Sequence, residues 1–160
     1  MRLRPLVLAL LFTAQAVAAA EATTWEQLCS LLEVKRESKE FRQFSRECGL
    51  QAFGKRDGNY SNREGILVNC VGDEIIAVGV RVAAGTMQLP FGLNEKDDLF
   101  SAARKLGFSP TDEQKGKAQK YLEVRVPPHG LVLTFMDGRL CKVGKRRAKQ
   151  TRNIMGGMEE

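Results

Sequence analysis

The sequence predicts an α+β fold of two helix plus antiparallel β-hairpin or meander repeats, stabilised by disulfides. Three observations carry that expectation. First, Gly65-Ile66-Leu67-Val68-Asn69-Cys70-Val71 aligns without a gap on Gly130-Leu131-Val132-Leu133-Thr134-Phe135-Met136, 65 residues later. The register continues through a two-residue turn, Gly72-Asp73 against Asp137-Gly138, to Val78-Gly79 against Val143-Gly144 and Arg81 against Arg146. Second, a helical stripe ending in glycine precedes each hairpin: Phe41, Phe44, Cys48 and Gly49 fall on Leu99, Ala102, Leu106 and Gly107. Third, four cysteines follow what reads as an export signal, and an even count in an oxidising compartment favours pairing.

The signal is expected over residues 1–20. Arg2 and Arg4 form its basic start and Leu6 to Phe12 its apolar run, with Ala16-Val17-Ala18 or Ala18-Ala19-Ala20 as the cleavage pattern. The run is too short to span a bilayer, and the first cysteine, Cys29, lies too far along for lipidation at the new N-terminus. A periplasmic or secreted location is therefore expected. Losing Arg2 and Arg4 takes Lys+Arg from 25 to 23 against 19 Asp+Glu, leaving about +4. That mild excess does not by itself imply nucleic acid. Residues 21–83 read as the first repeat, 84–146 as the second and 147–160 as a flexible basic tail.

The elements follow in order. Trp25, Leu28, Cys29 and Leu32 share one helical face. Ser38 caps a second helix that Gly49 ends. A loop follows, with turn signals at Asp57-Gly58 and Ser61-Asn62, then strands over roughly 65–71 and 74–82. Residues 83–88 are a connector. Leu89-Pro90-Phe91-Gly92-Leu93 opens the second half, and Asn94 is the expected cap of a helix running to Leu106, with Asp97 in its first turn. The helices are offset by 58 residues (Phe41 to Leu99) and the hairpins by 65, so the second unit carries seven more, placed in the polar stretch Ser109 to Lys120. A strand over 121–126 leads through Pro127-Pro128 into the second hairpin.

Strand alternation makes deductions about the cysteines. It sets Cys70 across from Ile75, with Ile66, Val68 and Cys70 on one face and Leu131, Leu133, Phe135 and Leu140 on the corresponding one. Cys141 then points to the opposite face beside Thr134, and a Cys70–Cys141 bridge would have to pass through the sheet. The favoured pairing is Cys48–Cys70 with Cys29–Cys141, and Cys29–Cys48 is its main rival. Zinc and thioredoxin-like roles need a closer cysteine spacing than this.

Little else points to chemistry, and no cofactor or metal is expected. The single histidine, His129, lies in a turn between Pro128 and Gly130, with no nucleophile motif in the sequence to serve. Asp97-Asp98 opens a helix, where acids suit the macrodipole, and Glu159-Glu160 is the end of the tail. Asp57-Gly58-Asn59 lacks the remaining ligands of a calcium loop and reads as a turn. The cluster Lys142, Lys145, Arg146, Arg147, Lys149 and Arg152 contains no acid and could dock an acidic partner or an anionic membrane surface. It lacks the interleaved aromatics that stack on nucleic acid. Leu67, Val71, Ile76 and Val78, with Val132, Met136 and Val143, make the second sheet face apolar too, as a core or as a protein-binding surface.

The order of helix, Leu-Gly or Cys-Gly stop, loop, and hairpin opening with Gly-apolar-x-apolar resembles the tandem helix–sheet repeats of the β-lactamase-inhibitor-protein-like fold. Small outer-membrane-assembly lipoproteins share that unit. The Leu89-Pro90-Phe91-Gly92-Leu93 element, with Asn94 and the Lys105-Leu106-Gly107 stop, is similar to one in uncharacterised exported bacterial proteins. The resemblance covers residues 38–146 and implies a protein that acts by binding proteins, as an inhibitor, an immunity protein or an envelope-assembly factor. The expected function is thus a non-catalytic binding module that blocks a partner enzyme. Lys142, Lys145, Arg146, Arg147, Val71 and Met136 are the candidate contacts. An envelope factor touching lipid or cell wall, and an enzyme using His129, are the alternatives.

Overall fold

A computed structural model describes residues 23–85 and 87–148. The expected signal peptide over 1–20 and the tail from 149 onward, with Lys149 and Arg152, lie outside the described residues. Among the described residues are four α-helices, α1 (Trp25–Ser30), α2 (Lys39–Glu47), α3 (Leu99–Leu106) and α4 (Asp112–Lys117). Seven strands, β1 (Gln51–Ala52), β2 (Asn59–Ser61), β3 (Ile66–Val71), β4 (Glu74–Arg81), β5 (Tyr121–Val126), β6 (Leu131–Met136) and β7 (Arg139–Arg146), join them. The strands form one antiparallel sheet in the order β1-β2-β3-β4-β7-β6-β5. The α+β class is therefore observed.

Short polar side chains start the helices by satisfying free N–H groups. Thr24 and Gln27 form a reciprocal capping box on α1, and the Ser38 hydroxyl accepts the Phe41 N–H at 3.2 Å on α2. Gly49 and Gly107, both left-handed, end α2 and α3 as expected. The start of α3 differs from expectation. Its cap is Asp98, whose carboxylate accepts the Ser101 N–H at 2.8 Å, while Asn94 and Asp97 close a separate turn ahead of it. The polar stretch read as an insertion contains α4, a helix without a buried face, held by a Thr111–Gln114 capping box. The loop after α2 also contains two short strands, β1 and β2.

One sheet face carries Ile66, Val68, Cys70, Ile75, Val78, Val80, Leu131, Leu133, Phe135, Leu140 and Val143, all buried. Trp25, Leu28, Phe41, Leu99, Ala102 and Leu106 from the helices join them in a single cluster. Burying each large member contributes roughly 1.5–3 kcal/mol. The core thus lies between the sheet and helices on one side, and no buried helix residue of that cluster lies on the other.

Val78 and Val143 correct the expected face assignment. In the β3–β4 pair, Cys70 faces Ile75 but Asn69 faces Ala77, so Ile76 is an extra residue. In the β6–β7 pair, Phe135 faces Leu140 but Thr134 faces Lys142, so Cys141 is extra. Each bulge flips the pleat downstream and turns Val78 and Val143 into the core.

The expected disulfides are also corrected: Cys29, Cys48, Cys70 and Cys141 are free thiols. The Cys48 carbonyl accepts from Asn62, which also receives the Ile66 N–H, so Cys48 lies at the Ile66 end of β3. Cys70 is four residues along that strand, roughly 13 Å away, beyond disulfide reach. Cys29 packs against the core, whereas the Cys141 thiol sits in the bulge and donates to the Thr134 carbonyl at 3.2 Å. The sheet therefore separates that pair. The Cys48 thiol instead shares a hydrogen bond with the Thr23 hydroxyl at 3.1 Å. Burial pushes all four thiols above their ordinary pKa, which keeps them poorly nucleophilic at neutral pH.

Candidate functional site

The uncovered sheet face is the candidate site. Its centre is the seam where β4 meets β7, with Gly79 directly opposite Gly144, Val80 opposite Val143 and Arg81 opposite Lys142. The absent side chains leave a shallow depression of about 80 Å³, bordered by Asn69, Ala77, Glu123, Val132, Lys142 and Arg146. Arg146 on β7 donates to Glu123 on β5 at 3.1 Å, and by register Gly144 and Val132 lie between them. The Arg146 side chain thereby crosses β6 over Val132, walling the depression on the side away from Gly79.

Apolar residues sit at two opposite corners. Val71, 65% exposed, ends β3 beside Ile76, and Met136, 50% exposed, ends β6 opposite Tyr121, 56% exposed. The antiparallel order puts these two strand ends at opposite edges of the face. Between them the surface is cationic. Arg81, Arg125 and Lys142 have no carboxylate within ion-pair distance among the described residues, while Arg146 is paired with Glu123 and Arg147 with Glu74 at 3.5 Å. Arg81 and Lys142, like charges placed directly opposite, destabilise the bare seam slightly.

Thr134 is the one polar side chain among the described residues that is buried with an unsatisfied oxygen. It is 4% exposed, between Lys142 on β7 and Glu123 on β5. A buried hydroxyl without a partner costs about 1–3 kcal/mol. Thr134→Val is therefore expected to stabilise the fold by about 1 kcal/mol, a rise in Tm of about 4 °C in a thermal melt. A lower Tm would show that the hydroxyl has a partner.

The predicted contacts divide. Val71, Met136, Lys142 and Arg146 belong to the uncovered face. Lys145 does not: it lies opposite Val78 and Leu131 on the helix side. Arg147 follows β7, its N–H donating to the Ile76 carbonyl at 2.9 Å. The basic cluster is therefore not one patch, because strand alternation sends its members to both faces.

His129 is engaged elsewhere. Its Nε2 is 3.0 Å from the Leu106 carbonyl at the end of α3, so Nε2–H donates, and its ring lies 4.5 Å from that of Phe91. Asp57 is clasped through both oxygens by Arg36, at 2.9 and 2.8 Å, and Arg36 also donates to the Tyr60 hydroxyl at 2.7 Å. The Arg36 guanidinium holds the Asp57 carboxyl below its usual range. A hollow of about 800 Å³ along α2 is rimmed by Arg36, Lys39, Arg42 and Arg46. Arg36 and Arg42 are already paired there, with Asp57 and Glu37. Among the described residues no group of His, Cys, Asp and Glu is placed to hold a metal, and no helix is long and apolar enough to cross a membrane.

Sequence reasoning missed the Arg146–Glu123 strap and the buried Thr134. Both depend on how three strands line up, and no local motif marks either. The glycine pair was legible as Val78-Gly79 against Val143-Gly144. Comparison of the chain with family models, curated proteins and solved structures gave no match.

Proposed function

We propose that this chain is an exported protein-binding module, an inhibitor or immunity protein that blocks a partner enzyme through the uncovered face of its sheet. The observation that carries this reading is that face itself. Helices bury one side of the sheet, and the other presents two apolar corners around a cationic, glycine-floored centre. Each corner is an exposed apolar anchor, and the charge between the corners selects the partner. Arg81, Arg125 and Lys142, which have no ion-pair partner among the described residues, favour a target surface with acidic groups.

We also infer that the molecule is two helix–hairpin repeats related by duplication, like the β-lactamase-inhibitor-protein-like fold that the sequence resembles. Support comes from β3 and β4, whose limits recur 65 residues later as β6 and β7. Bulges recur too, at Ile76 and Cys141, and Gly79 lies opposite its own counterpart, Gly144.

Affinity capture from bacterial envelope extract tests the binding role, using the wild-type chain beside Val71→Asp/Met136→Asp. Both substituted side chains are exposed, so the variant should fold. One envelope enzyme is expected on the wild type, inhibited by it in a direct assay, and lost from the variant. Equal retention on both, or an enzyme bound but not inhibited, would contradict the reading.

A further inference from the structure

Strand β5 is at the outer edge of the sheet and pairs only with β6 among the described residues. It is six residues long, whereas the opposite edge, β1, has two. Among the described residues, no backbone bond from Tyr121–Val126 runs beyond the sheet. An edge of this length, with N–H and C=O groups unmet on its outer side, is a template for another strand.

The side chains select which strand. Leu122, Val124 and Val126 are buried on the helix side, while Tyr121, Glu123 and Arg125 face the uncovered side. A strand that extends the sheet must match face to face. For a second copy of β5 running antiparallel, three centred registers preserve that match. Centring on Glu123 sets Glu123 against itself, and centring on Arg125 sets Arg125 against itself; both are repulsive. Centring on Val124 sets Glu123 opposite Arg125 of the second copy, twice by symmetry. It also sets Leu122 opposite Val126 and Val124 opposite Val124. Pro127 has no N–H and ends the ladder there.

We propose that the chain forms a two-fold homodimer by antiparallel β5–β5 pairing centred on Val124, running both seven-stranded sheets into one. The contact is self-complementary, as a two-fold interface must be. It uses the sheet edge and leaves the seam between β4 and β7 uncovered; it draws Arg125 into the dimer contact, while Arg81 and Lys142 stay available on the face.

Sedimentation velocity of the purified chain over a wide concentration range tests it. A reversible dimer is expected. Arg125→Glu places Glu123 opposite a second carboxylate and should weaken the dimer at least about tenfold. The double change Glu123→Arg/Arg125→Glu restores opposite charges across the two-fold but sets a second cation beside Arg146, so it should recover the dimer in part. A monomer at every concentration would overturn the proposal, as would a dimer indifferent to Arg125→Glu. Should that variant fail to fold, amide exchange on the unmodified chain decides. Protection of Leu122–Val126 that grows with concentration supports the pairing, and growth confined to other segments overturns it.

Discussion

Asp97→Asn is expected to lower stability by about 3 kcal/mol at neutral pH, the low end for breaking a buried ion pair. Asp97 is 4% exposed, and four groups converge on it. Lys105 donates to its carboxylate at 2.8 Å, the Asn94 N–H at 2.8 Å and the Ser101 hydroxyl at 2.8 Å, while its carbonyl accepts the Leu140 N–H at 2.8 Å. Lys105 also donates to the Gly92 carbonyl at 2.7 Å, tying Leu89–Leu93 to α3 and β7. An asparagine can keep some of these bonds, but it removes the charge and can aim an N–H₂ at the Lys105 ammonium. Lys105 is about one-third exposed, which holds the cost below that of a fully buried pair. Burial pushes the Asp97 carboxyl toward its neutral form, but Lys105, Asn94 and Ser101 outweigh it and hold its pKa below the ordinary value. A carboxyl depressed in the folded state stabilises above the unfolded pKa of about 3.9 and loses that contribution as pH falls through the folded value. Urea denaturation should thus show a wide gap between wild type and variant at neutral pH, closing in strong acid. A gap independent of pH would contradict the assignment.

Gly79→Val is expected to cost about 3 kcal/mol, at the upper end for forcing atoms into a packed site. A Cβ at Gly79 would stand 2.9 Å from the Val143 carbonyl oxygen and 3.2 Å from the Gly144 Cα. Those atoms are backbone and cannot swing aside as a flexible side chain could. The strain falls on the seam between β4 and β7, the contact that joins the two hairpins. Gly116→Ala is the control: it lies in α4 with nothing within 4 Å of its Cβ position, and should stabilise by about 0.5–1 kcal/mol. Thermal or urea unfolding of both variants checks the contrast. Equal effects would mean that the two strands do not approach closely at Gly79.

Alternation and caps carried the sequence reading where the chain is regular. The buried row Leu131, Leu133 and Phe135, the Ser38 cap and the glycine stops at Gly49 and Gly107 all follow from local chemistry. Reading failed where geometry is set from a distance. Ile76 and Cys141 look like ordinary strand residues, and only the partner strand makes each of them a bulge. That shift moved Val78 and Val143 from the expected outer face to the core. The cysteine pairing failed for a related reason. The count suggested bridges, but the direction of α2 against β3 separates Cys48 from Cys70, and the sheet separates Cys29 from Cys141. Asn94 looked like a cap because it precedes a helical run, yet Asp98 is closer to the first free N–H groups. For α4, the Thr111–Gln114 box was present in the sequence without an apolar stripe to draw attention to it. Of the candidate contacts, Val71 and Met136 were legible from alternation. The strap from Arg146 to Glu123 joins residues brought together only by strand order.

The claim that the uncovered face binds a protein is tested most directly by site-specific photo-crosslinking in the bacterial envelope. A crosslinking side chain at position 77 sits beside the depression over Gly79 and Gly144, and one at position 104 sits on the exposed side of α3. Position 77 should yield one discrete covalent adduct with a single envelope protein, and position 104 should yield none. Adducts from position 104 alone, or the same mixture from both positions, would contradict the account.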